Sequence, residues 1–156
     1  AEAGFTIDMA LRLMNAAMIF GAEAERFSTL DACLVDEYTG IVDCYKVGAH
    51  VSFVRHKRRT EVIEADSLPM GASASLEALP FRSYLEAGDY LVLVTDGVLE
   101  YLQVEDAVEM LRQLIEELAD TDAVTFARKI IERVLLFTGG TAADDMTVLV
   151  LKALER

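Results

Sequence analysis

Three carboxylates stand where apolar runs begin or end. Tyr90-Leu-Val-Leu-Val-Thr-Asp-Gly-Val98 is wholly apolar from Leu91 to Val94 and breaks at Thr95-Asp96-Gly97. Ala143-Asp-Asp-Met-Thr-Val-Leu-Val-Leu151 begins with Asp144 and Asp145 and then turns apolar. Short branched-aliphatic runs without a polar face predict strands covered on both sides. If the two strands lie antiparallel and adjacent, the end of one meets the start of the other, and Asp96 and Asp144 converge at one edge of the sheet. Two carboxylates crowded at the mouth of a buried sheet repel each other, and a hard divalent cation makes the arrangement favourable. Taken singly, each acid also has a structural use. Asp144-Asp145 suits a turn entering a strand, and Asp96 suits a helix N-cap ahead of Val98.

The elements that must position these acids can be read from pattern. Residues 7–20 predict a helix, with Ile7, Leu11, Met14 and Met18 on one stripe, Thr6 as N-cap, Asp8 in the first turn and Gly21 as the stop. The methionines of that stripe are core material first; an adaptable regulatory contact is the lesser alternative. A meander follows: Thr29–Asp36, a Glu37-Tyr-Thr-Gly40 turn, Ile41–Val47, Val51–Arg55 and Thr60–Ile63. Arg55-His-Lys-Arg-Arg59 is the only basic run, placed at a hairpin tip. A solvated tip accounts for it better than an electrostatic guide for an acidic or phosphorylated partner, by roughly two to one. His50, in the tight Gly48-Ala49-His50 turn, is left out of the site.

Residues 65–75 predict a loop and Phe81–Leu85 a short strand. Two helices should follow Gly97, one carrying Val104, Val108, Leu111, Ile115 and Leu118, the other Phe126, Ile130, Ile131, Val134 and Leu135, with Gly139-Gly140 ending the second. Strands, a helix pair and a return strand make an α+β fold, with helices on one face of an antiparallel sheet.

Composition narrows the function. The chain has 156 residues, 53% hydrophobic, with a net charge of −13. That size suits one domain with a real core. The apolar content argues against disorder, and the acidity against nucleic acid, which needs a basic footprint. No apolar run approaches the ~18 residues of a membrane span, and no signal segment is evident. Cys33 and Cys44 lack metal or redox spacing and read as buried thiols of a reducing compartment.

Five phrases in register carry a resemblance across most of the chain: Phe27-Ser-Thr-Leu-Asp31, Lys46-Val-Gly48, Leu68-Pro-Met-Gly71, Leu85 to Glu100 with its Thr95-Asp96-Gly97, and Asp144-Asp-Met-Thr-Val148. Together they resemble the phosphatase domain of the stage II sporulation protein E family, a bacterial branch of the metal-dependent type 2C serine/threonine phosphatases. The resemblance implies an antiparallel β-sandwich flanked by helix pairs. It implies Mn²⁺ or Mg²⁺, two ions in the complete domain. By the family pattern Asp96 and Asp144 are direct metal ligands. Gly97 keeps the backbone tight beside Asp96, and Asp145 and Thr95 stand behind the ligands or complete the metal's shell. No side chain is assigned as a protein nucleophile, because metal-activated water attacks the phosphoserine. The lack of a G-x-S-x-G elbow, a C-x₅-R loop or a Gly-rich lysine loop agrees with that.

The resemblance further implies a phosphorylated protein substrate of the anti-sigma-factor-antagonist type and a cytoplasmic domain, the parent of that branch being a membrane protein. A homodimer is left open as a further partner. The family also carries an earlier Asp-Gly motif whose aspartate bridges both metals. Here the only Asp-Gly is Asp96-Gly97. Residues 1–156 are therefore expected to be the C-terminal portion of such a domain, without its first strands and inactive alone. The alternative is a binding or sensing module that kept the fold and lost turnover.

Overall fold

A computed structural model of the chain describes residue 4 and residues 6–21, 27–57, 59–76, 80–102, 106–137 and 145–155, without the side chain of Tyr101. Asp144, Val104, Arg58, Gly139 and Gly140, all used in the reading above, lie outside the described residues. The elements run α1 (Ile7–Gly21), β1 (Leu30–Val35), β2 (Ile41–Val47), β3 (Val51–Arg55), β4 (Thr60–Glu64), β5 (Phe81–Tyr84), β6 (Tyr90–Val94), α2 (Asp96–Leu102), α3 (Ala107–Glu117), α4 (Ala123–Phe137) and β7 (Val148–Lys152).

The strands form two antiparallel sheets, ordered β1-β2-β5 and β4-β3-β6-β7. Alternation along each strand decides what fills the space between them. Val42, Cys44, Val54, Ile63 and Leu91 point into the sandwich and pack as one cluster. The opposite parity of the larger sheet, Val51, Phe53, Tyr90, Val92 and Val94, packs on Val98, Leu102, Leu111, Ile115, Phe126, Ile130 and Val134 of α2–α4. On the outer side of the smaller sheet, Leu11 of α1 packs with Val47, Met70 and Leu76. The expected α+β fold and sandwich are both present. Among the described residues one helix covers the smaller sheet and three cover the larger.

Local chemistry sets the joins. Thr6 caps α1, its hydroxyl accepting the Met9 N–H at 3.3 Å. Asn15, 2% exposed, ties α1 to the loop below, accepting the Gly71 N–H at 2.8 Å and donating to the Ser73 carbonyl at 2.9 Å. That contact and buried Met70 give the Leu68-Pro-Met-Gly71 loop a packing role. Gly40 turns the β1–β2 hairpin at φ +76°, against the Leu85 carbonyl, where a side chain would be strained and would collide.

Three expectations change. A seven-residue helix, α2, starts at Asp96, before the two that were expected. Its packing signal is one repeat, Val98 and Leu102, too short to register as periodic. β7 is not buried on both faces: it is the edge of the described sheet, and Leu149 is 58% exposed. Arg55 is not part of a solvated tip. It ends β3 on the helix-facing parity, 8% exposed, with its guanidinium 5.3 Å from the Tyr90 ring and 5.5 Å from the Phe126 ring. It also donates to the Leu118 carbonyl at 2.9 Å and pairs with Asp120. The tip proper is shorter, closed by the His56 N–H donating to the Arg59 carbonyl at 2.8 Å.

Candidate metal site at one end of the sandwich

β6 and β7 pair antiparallel from Tyr90 opposite Lys152 to Val94 opposite Val148. The pairing continues one step past the strands. The Thr95 N–H donates to the Thr147 carbonyl at 3.1 Å, and the Thr147 N–H donates to Thr95 Oγ1 at 2.9 Å. Thr95 is thus fixed as the last rung between the two acidic segments.

Beyond that rung the chains stay close. Gly97 lies against the Asp145 carbonyl oxygen, so near that an added Cβ would overlap it. Gly97 is buried, while Asp96 on one side and Asp145 across from it are exposed at the surface. Asp96 accepts the Gly97 N–H at 2.9 Å through Oδ1, and the Val98 N–H donates to the Thr95 carbonyl at 3.0 Å. This turn starts α2 and leaves the Asp96 carboxylate at the mouth. The structure therefore brings together Thr95, Asp96, Gly97 and Asp145, four of the five site residues expected from sequence. The fifth, Asp144, lies outside the described residues.

The donors present suit a hard cation. Carboxylate and backbone carbonyl oxygens bind Mg²⁺ and Mn²⁺. The set is partial: among the described residues no three of His, Cys, Asp and Glu converge. Asp96, the described one of the two expected direct ligands, stands at this end with Asp145 across from it, and Thr95 braces the strand between them.

Sequence reasoning overlooked a charged group at the same end. β1 begins, β2 ends and β3 begins there, and Asp31, Lys46 and Ser52 all point into the sandwich. Lys46 Nζ donates to Asp31 Oδ2 at 2.7 Å and to Ser52 Oγ at 2.9 Å, and the Ser52 hydroxyl also donates to Asp31 Oδ2. Lys46 is 3% exposed, and Asp31 Oδ1 is buried without a partner. The signal was available: Asp31 and Lys46 share the parity of Cys33, Val35, Val42 and Cys44. Burying this pair costs desolvation, so its use is to lock one sheet on the other beside the site rather than to add net stability. His50 is exposed in the turn between β2 and β3.

Comparison with known proteins gives one consistent picture. The family model of stage II sporulation protein E (SpoIIE) matches residues 1–154. The chain is 31% identical over 152 residues to stage II sporulation protein E of Priestia megaterium, covering 97% of this chain and 26% of that protein. It is 33% identical over 92 residues to the phosphoserine phosphatase RsbU of Bacillus subtilis (strain 168), covering 58% of this chain and 28% of that one. It is also similar to the solved PP2C phosphatase domain, with a fragment of the regulatory domain, of the cell fate determinant SpoIIE from Bacillus subtilis. There the TM-score is 0.87 at 27% identity, covering 97% of this chain and 46% of that one. The chain thus spans between 18% and 28% of the length of the curated relatives it matches.

Proposed function

The chain belongs to the stage II sporulation protein E family, and on that premise we propose that it forms the C-terminal, metal-holding part of a protein phosphoserine phosphatase domain. The observation that supports this most is the fit of buried Gly97 under the Asp145 carbonyl, which sets two acidic segments edge to edge at the mouth of the sandwich. Asp96, Asp144 and Asp145 are the metal-ligand candidates.

A phosphomonoester dianion repels an incoming nucleophile, and its hydrolysis in water is extremely slow. A bound Mn²⁺ or Mg²⁺ would supply charge neutralisation and a water acidic enough to ionise near neutral pH. The chain's own part is to hold the carboxylates rigidly. Thr95 clamps β6 to β7, Gly97 permits the close approach, and α2 packs through Val98 and Leu102 to keep the turn in place. The substrate class is a phosphoserine on a protein, of the anti-sigma-factor-antagonist type, and the compartment is the cytoplasm. No helix among the described residues is long and apolar enough to cross a membrane.

Because Asp96 and its neighbours supply only part of a shell, turnover needs a further carboxylate that bridges to a second ion at the roughly 3.5–4 Å spacing of two-metal hydrolysis. A second reading, a binding or sensing module of the same fold, rests on Asp96-Gly97 being the one Asp-Gly in the sequence. Thermal melts of wild type and Asp96→Asn, with chelator and with millimolar Mn²⁺, test the metal assignment. Removing one of two crowded charges should leave stability equal or higher without metal, and Mn²⁺ should shrink or reverse that difference. A loss of stability independent of metal would make Asp96 a structural cap.

A further inference from the structure

Cys33 of β1 and Cys44 of β2 are direct cross-strand partners. Alternation turns both sulfurs into the sandwich, where Cys33 packs on the cluster formed by Val42, Cys44, Val54, Ile63, Leu85 and Leu91. Both are free thiols, Cys33 half-buried and Cys44 buried. Cys33 thus faces Cys44 across the strand pair and packs against the cluster that holds it. Directly opposed residues on antiparallel strands have Cα atoms about 4.5–5.5 Å apart. That lies inside the roughly 4.4–6.8 Å range a disulfide spans. Opposition by register, shared facing and common packing together are more than two cysteines in one sequence would give.

We propose that Cys33 and Cys44 are a modification site, a dithiol that closes to a reversible cross-strand disulfide under a small peroxide oxidant. Cys33 is the sulfur the oxidant reaches. Its thiolate attacks a peroxide oxygen, the O–O bond breaks, and Cys33 sulfenic acid and one water result. Cys44 sulfur then attacks Cys33 sulfur, the S–O bond breaks, and the hydroxyl leaves with the Cys44 proton as a second water. Two thiols and one hydrogen peroxide give one disulfide and two waters. The neighbouring Cys44 thiol, and burial after it, hold the Cys33 thiol above the usual cysteine range. Closure is therefore slow at neutral pH and accelerates about tenfold per pH unit as the thiolate fraction grows.

The location gives the bond a consequence. The next inward-facing pair on the same strands is Asp31 and Lys46, which ties the smaller sheet to Ser52 of β3 at the site end. A disulfide at 33–44 staples β1 to β2 one step behind that tie, so exchange of β1 and β2 amides slows.

The test treats the 156-residue chain with hydrogen peroxide at several pH values. Intact mass, peptide mapping without reductant and thiol titration in denaturant then identify the products. The expected product is a monomer lighter by the mass of two hydrogens, with peptides joined through Cys33 and Cys44. It forms at a rate independent of protein concentration and is restored by dithiothreitol. Cys33→Ala should leave a single thiol with no internal cross-link. Hydrogen exchange of the oxidised form should show added protection in β1 and β2 and little change in α4. Two thiols that persist through the treatment would overturn the proposal, as would stable sulfinic acid on Cys33 or dimers as the only disulfide product.

Discussion

Gly97 sits so closely under the backbone carbonyl of Asp145 that position 97 has no room for a Cβ. The contact joins the start of α2 to the segment entering β7. Gly97→Ala must push one away from the other. The expected cost is about 1–3 kcal/mol, as for other small-to-large changes in packed sites. The site should suffer beyond that cost, because Asp96 and Asp145 flank the displaced backbone. Denaturant melts should show the loss, and the Mn²⁺-induced rise in Tm should fall more than in an equally destabilised core variant such as Ile130→Val. An Ala variant with wild-type stability would mean that the two segments separate freely.

Lys46 and Asp31 make the second relationship at this end, a buried pair whose side chains are 2% and 15% exposed. Lys46→Met strands the Asp31 carboxylate between the sheets. A broken buried pair costs roughly 3–5 kcal/mol. Replacing both, as Lys46→Met with Asp31→Leu, should recover most of that, since no uncompensated charge remains. A double-mutant cycle by urea denaturation measures the coupling. Additive losses would show that the two side chains act independently.

Asp122 gives a pH dependence with a definite sign. Its carboxylate accepts the Thr125 N–H at 2.9 Å at the start of α4, and that backbone bond, with the Thr125 hydroxyl next, holds its pKa down to about 2. The unfolded value is about 3.9. The folded state therefore binds its proton less readily, and the cap's contribution is complete above about pH 4 and lost as pH falls towards about 2. Comparing wild type with Asp122→Ala, the gap in Tm should be full at neutral pH and should close near pH 2. A gap that persists unchanged at pH 2 would show that the carboxylate's charge is not what caps the helix.

Much of this architecture was legible from residue order alone. The branched run of β6 and the acids preceding β7 announced two strands meeting at one edge, and their register bears this out as far as Asp145. The sandwich itself was not legible from periodicity. β1 and β2 carry Asp31, Cys33, Cys44 and Lys46 on the inward parity, so a mixed face looks half-solvated until the opposing sheet is in place. Arg55 misled for a related reason. Its charge matched the basic tip beside it, yet its parity belongs with Val51 and Phe53, and two aromatic rings and Asp120 receive the guanidinium. α2 went unread because one i, i+4 pair is no period, and edge strand β7 because burial depends on a neighbour that its own sequence does not reveal.

The most direct measurement is phosphate release from a phosphoserine protein. It compares this chain alone with the same chain in any longer protein that carries it, each with Mn²⁺ and with chelator. The account predicts little or no release by the 156 residues alone and metal-dependent release by the longer protein. That release should be abolished by Asp96→Asn or Asp144→Asn, while Lys57→Ser leaves it unchanged on a small phosphate ester. Robust metal-dependent turnover by the chain alone, or full activity of the longer protein after Asp96→Asn, would contradict it.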